Sequence, residues 1–345
     1  MRSIAAGLVL TAAGAFAMAA TPPGDGAREL RISLDTGPNH LRTHVVRNFA
    51  ERLDAELPGR FNVRLFDSGQ LYSDRDVIKA LMWGDVDLAL PTALYVARFE
   101  PAANVTSLPM FYGRAREVLH HVLDGPLGAA VADRVEARLA VKVLAPNLDL
   151  GYINVFSTRR PLASPADLAG LKVRVPGGAA ALRMFRLQGA SPVAIPWSDV
   201  PLGLSQGNID AVATSFETLQ SGSLWEVGIR HGLVERSMFM QYMPLVRREF
   251  WERLDPDTQA RFIKAWRETM LDARELAAQR QLRAREIAID HGIRVRSLSE
   301  AEARSERERL LQFEPRLVQQ LRLPADVVEL ARSLLAAAQE EADTP

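Results

Sequence analysis

Three groups of residues in this 345-residue sequence have the types and spacing for chemistry. The first is Arg174, at the end of the β-branched run in LAGLKVRVPGGAAAL (residues 168–182), just before a proline, Gly177, Gly178 and an alanine-rich segment. An arginine closing a parallel strand points to where α/β folds bind ligands. The free N–H groups and positive dipole end of a following helix favour an anion there. A guanidinium can grip a carboxylate by two parallel charge-assisted hydrogen bonds. The same residue could instead pair with an acidic side chain across the sheet, and the residues alone leave both readings open. The second group is Gly203–Gly207, Gly-Leu-Ser-Gln-Gly, which fits the Gly-x-Ser-x-Gly elbow of hydrolases. An elbow needs a strand entering and a helix leaving, but Ser205 follows a helix-like segment and precedes a strand, so Gly207 reads as a helix stop. The third is His40 and His44, four apart as on one face of a metal-binding helix, yet with no glutamate between them and no evident third ligand. His40 is expected at the start of a helix and His44 along it. His120 and His121 are adjacent and cannot share a face. Trp83, Trp197, Trp225 and Trp251 are expected in the core or on a cleft wall. A secreted hydrolase or metalloenzyme using Ser205 or the His40/His44 pair therefore stands as the alternative to a binding protein.

These residues must be placed by an α/β framework. Segments 29–35 and 60–66 alternate apolar residues with period two, and 41–57 between them repeats apolar residues at helical spacing, which makes a βαβ unit. Ser73 is expected to cap the next helix, Gly84 to stop it, and 86–91 to be a short buried strand, giving a largely parallel first sheet. Downstream, 141–146 and 151–157 read as strands, Ser164-Pro165 opens one helical turn, 171–175 is a strand, and a helix over 198–207 precedes the strand 209–215. From Asp255, an N-cap with Pro256 at the first helical position, no glycine or further proline occurs until beyond Ile289. One helix of about 35 residues would be about 50 Å long, enough to run along two lobes. A strand over 293–298 and two helices are expected after it.

Composition narrows the function classes. The 42 basic and 42 acidic residues cancel to zero formal charge, and no basic run exceeds pairs such as Arg159-Arg160, which argues against nucleic acid as the partner. There is no cysteine, so thiol nucleophiles and cysteine metal sites are excluded. Residues 1–20 have the shape of a secretory signal peptide, with Arg2, an apolar stretch and the small-residue pattern at Ala17 and Ala19. Cleavage after Ala19, removing 1–19, would leave an exported periplasmic protein.

Residues 164–215 resemble the signature of the solute-binding proteins of tripartite ATP-independent periplasmic (TRAP) transporters. The matching parts are Pro-x-Asp-Leu-x-Gly-Leu-Lys-x-Arg-Val, then Gly-Ala-x-Pro-Val, then Pro-aromatic-Ser-acidic-Val, then Leu-x-x-Gly-x-x-Asp. SGQLYSDRDVIKALMWGDVDLALP (68–91) and SLPMFYG (107–113) are similar to further family segments, so the resemblance covers essentially the whole mature chain. It implies a clamshell of two α/β lobes: 27–150 with about 240–279 as the first, and 151–239 with about 280–345 as the second. A long helix would span both. It implies capture of a small organic acid and delivery to the membrane subunits of the transporter; the residues themselves offer no cofactor motif and no complete metal-ligand set. It also makes Arg174 the main carboxylate anchor. The family's pocket positions fall on Asp35, Asp74, Thr92, Tyr95, Gly177, Trp197 and Thr214.

Two departures matter. Many members carry a second arginine at the lobe crossing, where this sequence has Ile153 with Asn154 next, and many have asparagine where Thr214 stands. Asn154 joins the candidate set. With no second clamp, this departure from the family pattern favours a monocarboxylate or hydroxy acid over dicarboxylates and sialic-acid-like ligands, with Asp35, Asp74, Thr92 and Thr214 bonding hydroxyl or amine groups.

Overall fold

The computed structural model describes residues 27–343, so the leader and its cleavage point lie outside the described residues. The first half begins with β1 (Arg28–Ser33), α1 (Leu41–Glu56) and β2 (Phe61–Phe66), the expected βαβ unit, with β1 and β2 parallel. α2 (Val77–Trp83), β3 (Leu88–Ala89) and α3 (Ala93–Val96) follow, then two 3-10 stretches, α4 (Arg116–Asp124), α5 (Pro126–Arg138) and β4 (Val141–Val143). Gly84 ends α2 in the left-handed conformation at φ 86°, as a residue without Cβ can. Ser73 does not cap that helix: Asp76 is the N-cap, and the Ser73 carbonyl accepts from the Asp76 and Val77 N–H groups. The turn is set instead by Asp74, whose carboxylate is drawn to Arg42 and whose N–H bonds Asp35. Trp83 stands 71% exposed, off the buried face of α2 formed by Val77, Ile78, Ala80 and Leu81, so it is neither core nor cleft wall.

The second half starts with the long β5 (Leu148–Ser157) and a capped turn at Pro165–Leu168. β6 (Lys172–Val175), α6 (Ala179–Leu187), β7 (Ser191–Ala194), α7 (Val200–Ser205), β8 (Ala211–Thr214) and α8 (Phe216–Ser221) then alternate. β9 (His231–Tyr242) leads into β10 (Leu245–Arg247), α9 (Arg248–Glu252), α10 (Pro256–Asp290), β11 (Arg294–Ser297), α11 (Glu300–Leu311), α12 (Glu314–Leu321) and α13 (Ala325–Asp343). Three helices follow β11 rather than two, because the chain breaks at Gln312-Phe313 and again at Arg322, which takes φ 53°.

The strands form two sheets, ordered β2-β1-β3-β10-β4 and β11-β9-β5-β8-β6-β7. The first is mixed rather than largely parallel, since β10 runs antiparallel to both β3 and β4. The chain thus passes from one sheet to the other at β4–β5 and returns at β9–β10, where Tyr242 also bridges Thr92. α10 ties the lobes together. Near its start Phe262 and Trp266 meet Phe49 of α1 with ring centroids 5.3 Å apart. Near its end Gln281 donates to the Leu150 carbonyl (2.8 Å) and accepts from the Glu217 N–H (3.1 Å), while Ala284 and Ala288 enter the smaller core of the second lobe. The result is a two-lobed α/β clamshell with a spanning helix. α13 packs on α4 and α5, and Asp326 at its start pairs with Arg134 of α5 (2.6 Å).

Candidate functional site

Arg174 ends a strand paired in parallel on both sides, so its side chain emerges at the carboxyl edge of the second sheet. It is buried, 3% exposed, yet makes no ion pair among the described residues. Its Nε donates to the Ile195 carbonyl (3.1 Å), and its guanidinium carbon lies 5.6 Å from the Trp197 ring centre. Burial lowers its pKa from the ordinary arginine value, with Tyr95 and Asp35 opposing. The sheet-bracing ion pair left open by the sequence is absent among the described residues, and Arg174 lines the cavity between the lobes.

The facing wall is built around Arg42, in the first turn of α1 and wholly buried. Its Nη1 donates to both oxygens of Asp74 (2.9 and 2.8 Å) and to the Leu90 carbonyl (2.8 Å). Its Nε donates to Thr36 (3.1 Å) and its Nη2 to Asp35, while the guanidinium lies 4.3 Å over the Tyr242 ring. Burial opposes the charge on Arg42, but its two acidic partners outweigh that and make it more basic than usual. Burial, with Asp35 adding, pushes Asp74 up to about 7 against the pull of Arg42. Thr92, at the start of α3, is 4% exposed and its hydroxyl has no hydrogen-bond partner. Buried hydroxyls are nearly always bonded, so this one is available to a guest.

A polar seam joins the lobes beside this space. His40 caps α1 and accepts the Arg42 N–H at Nδ1 (3.0 Å), which leaves the proton on Nε2, 3.1 Å from the Thr218 hydroxyl and 3.2 Å from Glu217 Oε2. Both ring nitrogens are therefore engaged, and burial beside Arg42 keeps the ring neutral by lowering its pKa well below the ordinary value. Glu217, in α8, accepts the Leu41 N–H (2.6 Å), and burial pushes its carboxyl up to about 7.

Seven of the nine expected residues, Asp35, Asp74, Thr92, Tyr95, Arg174, Trp197 and Thr214, line one interlobe cavity of about 40 Å³. Asn154 does not reach it. Strand alternation turns Ile153 to the cavity and Asn154 away, where its Oδ1 accepts the Arg236 N–H (3.3 Å) at an irregularity between β5 and β9. Gly177 lies round the corner, in a hollow of about 210 Å³ that shares Tyr95 and Pro176 with the cleft and carries Arg75 and Arg98. A Cβ there would sit 2.9 Å from the Tyr95 ring, so Gly177 serves close approach of the lobes rather than contact with a guest. With Gly178 pressed against Leu94, the start of α6 is covered by α3 instead of open to an anion. Sequence reasoning missed Arg42, Glu217, Thr218 and Tyr242. Arg42 had a signal: with Val46, Phe49 and Leu53 it lies on the buried stripe of α1, a lone charge at helical spacing.

The catalytic candidates disperse. Ser205 is exposed and donates to the Leu202 carbonyl (3.0 Å) at the end of α7, with Gly207 left-handed behind it, so no elbow forms. No group of three metal-ligating side chains occurs among the described residues. A larger hollow of about 510 Å³ between α5 and α10 is mostly apolar; of its three charged residues, Arg274 and Asp124 pair with each other (2.5 Å) and Arg267 is the third.

Residues 32–315 match the family model DctP, described as bacterial extracellular solute-binding protein, family 7. The 2,3-diketo-L-gulonate-binding periplasmic protein YiaO of Escherichia coli is 24% identical over 281 residues, 81% of this chain and 83% of that protein. The C4-dicarboxylate-binding periplasmic protein DctP of Rhodobacter capsulatus is 26% identical over 267 residues, 76% and 78% of the two chains. The sugar acid binding protein DctPAm of Advenella mimigardefordensis, solved with galactonate, superposes with a TM-score of 0.83 at 21% identity, covering 91% of this chain and 98% of that one. That likeness concerns the fold.

Proposed function

The chain belongs to bacterial extracellular solute-binding protein family 7, and from that premise we propose that its cleft captures a small organic acid in the periplasm and delivers it, chemically unchanged, to the membrane subunits of a TRAP transporter. The observation that carries this reading is Arg174, a buried guanidinium with no carboxylate partner among the described residues, lining the interlobe cavity together with an unbonded Thr92 hydroxyl. Burying an unpaired cation is costly, and a guest carboxylate relieves that cost where the protein supplies none. The free space of about 40 Å³ holds only a few water-sized groups, so a larger acid would hold the lobes further apart. Among the described residues no helix is long and apolar enough to cross a membrane, and export would rest on the leader at 1–19. We divide the lobes at the two strand crossings, placing 27–150 and about 240–279 in one and 151–239 with the segment from about 280 in the other. α13 goes with the first lobe, because it packs on α4 and α5.

The test is a melting screen of the mature protein against carboxylic acids, including succinate and galactonate, followed by small-angle scattering with the best of them. Mass action requires the melting temperature to rise with free ligand, and closure requires a smaller radius of gyration. An acid that is consumed on incubation, or no stabilisation by any carboxylate, would overturn the proposal.

A further inference from the structure

The two walls of the cleft carry opposite charge. On one, Arg174 has spent only Nε, on the Ile195 carbonyl, and offers an unbalanced positive charge. On the other, Arg42 is shared by two carboxylates and lies wholly buried outside the cavity lining: Nε goes to Thr36, Nη1 to Asp74 and Leu90, Nη2 to Asp35. Arg42 is buried behind the acids, whereas Asp35 and Asp74 line the cavity. With both acids ionised, that wall sums to one negative charge. The rise of Asp74 to about 7 has burial as its main cause, and Asp35 beside it as a further one. The cluster lacks one positive charge. A hydroxyl group on a ligand does not supply it, and a second carboxylate would add repulsion at short range.

Resting on the reading of this cleft as a carboxylate site, we propose that the ligand is a small zwitterion, its carboxylate on Arg174 and its protonated amine on Asp35 and Asp74. The Thr92 hydroxyl, buried without a partner on the same wall, accepts from the ammonium as well. Four charged side chains of the site, Arg42 and Arg174 against Asp35 and Asp74, already cancel. A ligand that is neutral overall but charged at both ends therefore pairs each exposed charge without burying a net one, which a simple carboxylate cannot do. The small cavity requires the two ligand charges to be only a few bonds apart.

The experiment is calorimetric titration of the mature wild-type protein, near neutral pH, with acids matched in chain length. One trio is β-alanine, 3-hydroxypropionate and malonate; another is 4-aminobutyrate, 4-hydroxybutyrate and succinate. The amine is expected to bind about tenfold or more tighter than both analogues in at least one trio. If a hydroxy acid or dicarboxylate equals or beats the amine in every trio, the zwitterion is refuted while the carboxylate reading stands. If none of the three classes binds, both fall. Asp35→Asn, which removes one negative charge from the wall, should bring amine and hydroxyl analogues close to parity. An undiminished amine preference in that variant would also overturn the proposal.

Discussion

Replacing Arg174 by lysine keeps a positive charge at the carboxyl edge of β6 but exchanges a planar fork for a point donor. In the wild type, Nε is held by the Ile195 carbonyl, so the two terminal nitrogens are fixed in direction and present parallel N–H groups to a carboxylate. Lysine loses that tether and one of the two charge-assisted bonds. A hydrogen bond to a charged group is worth roughly 1.5–3 kcal/mol, so binding of the best ligand should weaken by about 2 kcal/mol, roughly 30-fold. Arg174→Met removes the charge altogether and strands the ligand carboxylate in a dry cleft, where loss of one partner costs about 3–5 kcal/mol, more than a hundredfold. The unliganded protein should respond in the opposite sense. Arg174 is 3% exposed and has no acidic partner, so the methionine variant sheds a desolvated cation and should melt at the wild-type temperature or above it. Calorimetric titration beside unliganded melting curves checks both halves. Full affinity in the lysine variant, or a fall in unliganded melting temperature large enough to account for the lost binding, would refute the anchor role.

Two further outcomes follow from the site's surroundings. Burial pushes Glu217 up to about 7 from an ordinary value of 4.5, so the folded protein binds its proton more tightly than the unfolded chain does. The resulting stabilisation is fully present below about pH 4.5, where both states hold the proton, and is lost as pH rises from there to about 7. Glu217→Gln keeps an oxygen for the Leu41 N–H and should flatten that loss and raise the unliganded melting temperature at about pH 8; an unchanged slope between pH 5 and 7 would refute it. Asn154→Ala should leave ligand affinity within about twofold of wild type while costing about 1 kcal/mol of stability, since it frees the N–H of Arg236, itself at φ 52°; a large affinity loss in titration would return Asn154 to the pocket.

The parts of the fold that could be read were those fixed by local chemistry. Asp255 and Pro256 start α10, and no glycine interrupts it before Gly292, so both its length and its span across the lobes followed from the residues. The helical turn opened by Ser164-Pro165 was legible for the same reason, and a capping box between Ser164 and Asp167 holds it. Ser73 failed as a cap because its neighbour Asp74 is claimed by Arg42, a partner 32 positions away, and a tertiary ion pair outweighs a capping bond. Asn154 failed through phase. Alternation along β5 was visible, but two register shifts against β9 decide which parity faces the cleft, and nothing local announces them.

The site itself divides along the same line. The residue pattern alone pointed only to Arg174; Trp197, Thr214 and the residues of the opposite wall came from the resemblance to the solute-binding family, and they line the interlobe cavity with it. Charge was not legible, because it depends on pairing. Asp35 and Asp74 looked like free acceptors, and a second cation looked missing; Arg42 was present all along on the apolar stripe of α1, but turned inward, where it neutralises half of the acidic pair and contacts no guest. Whether a buried charge is spent or available is a property of every side chain around it. Arg174 is available because its strand neighbours are valines and its facing acids are held by another arginine. That arrangement requires segments 35, 42, 74 and 174 to meet, so the polarity of the cleft arises with the tertiary structure and cannot reside in any one motif.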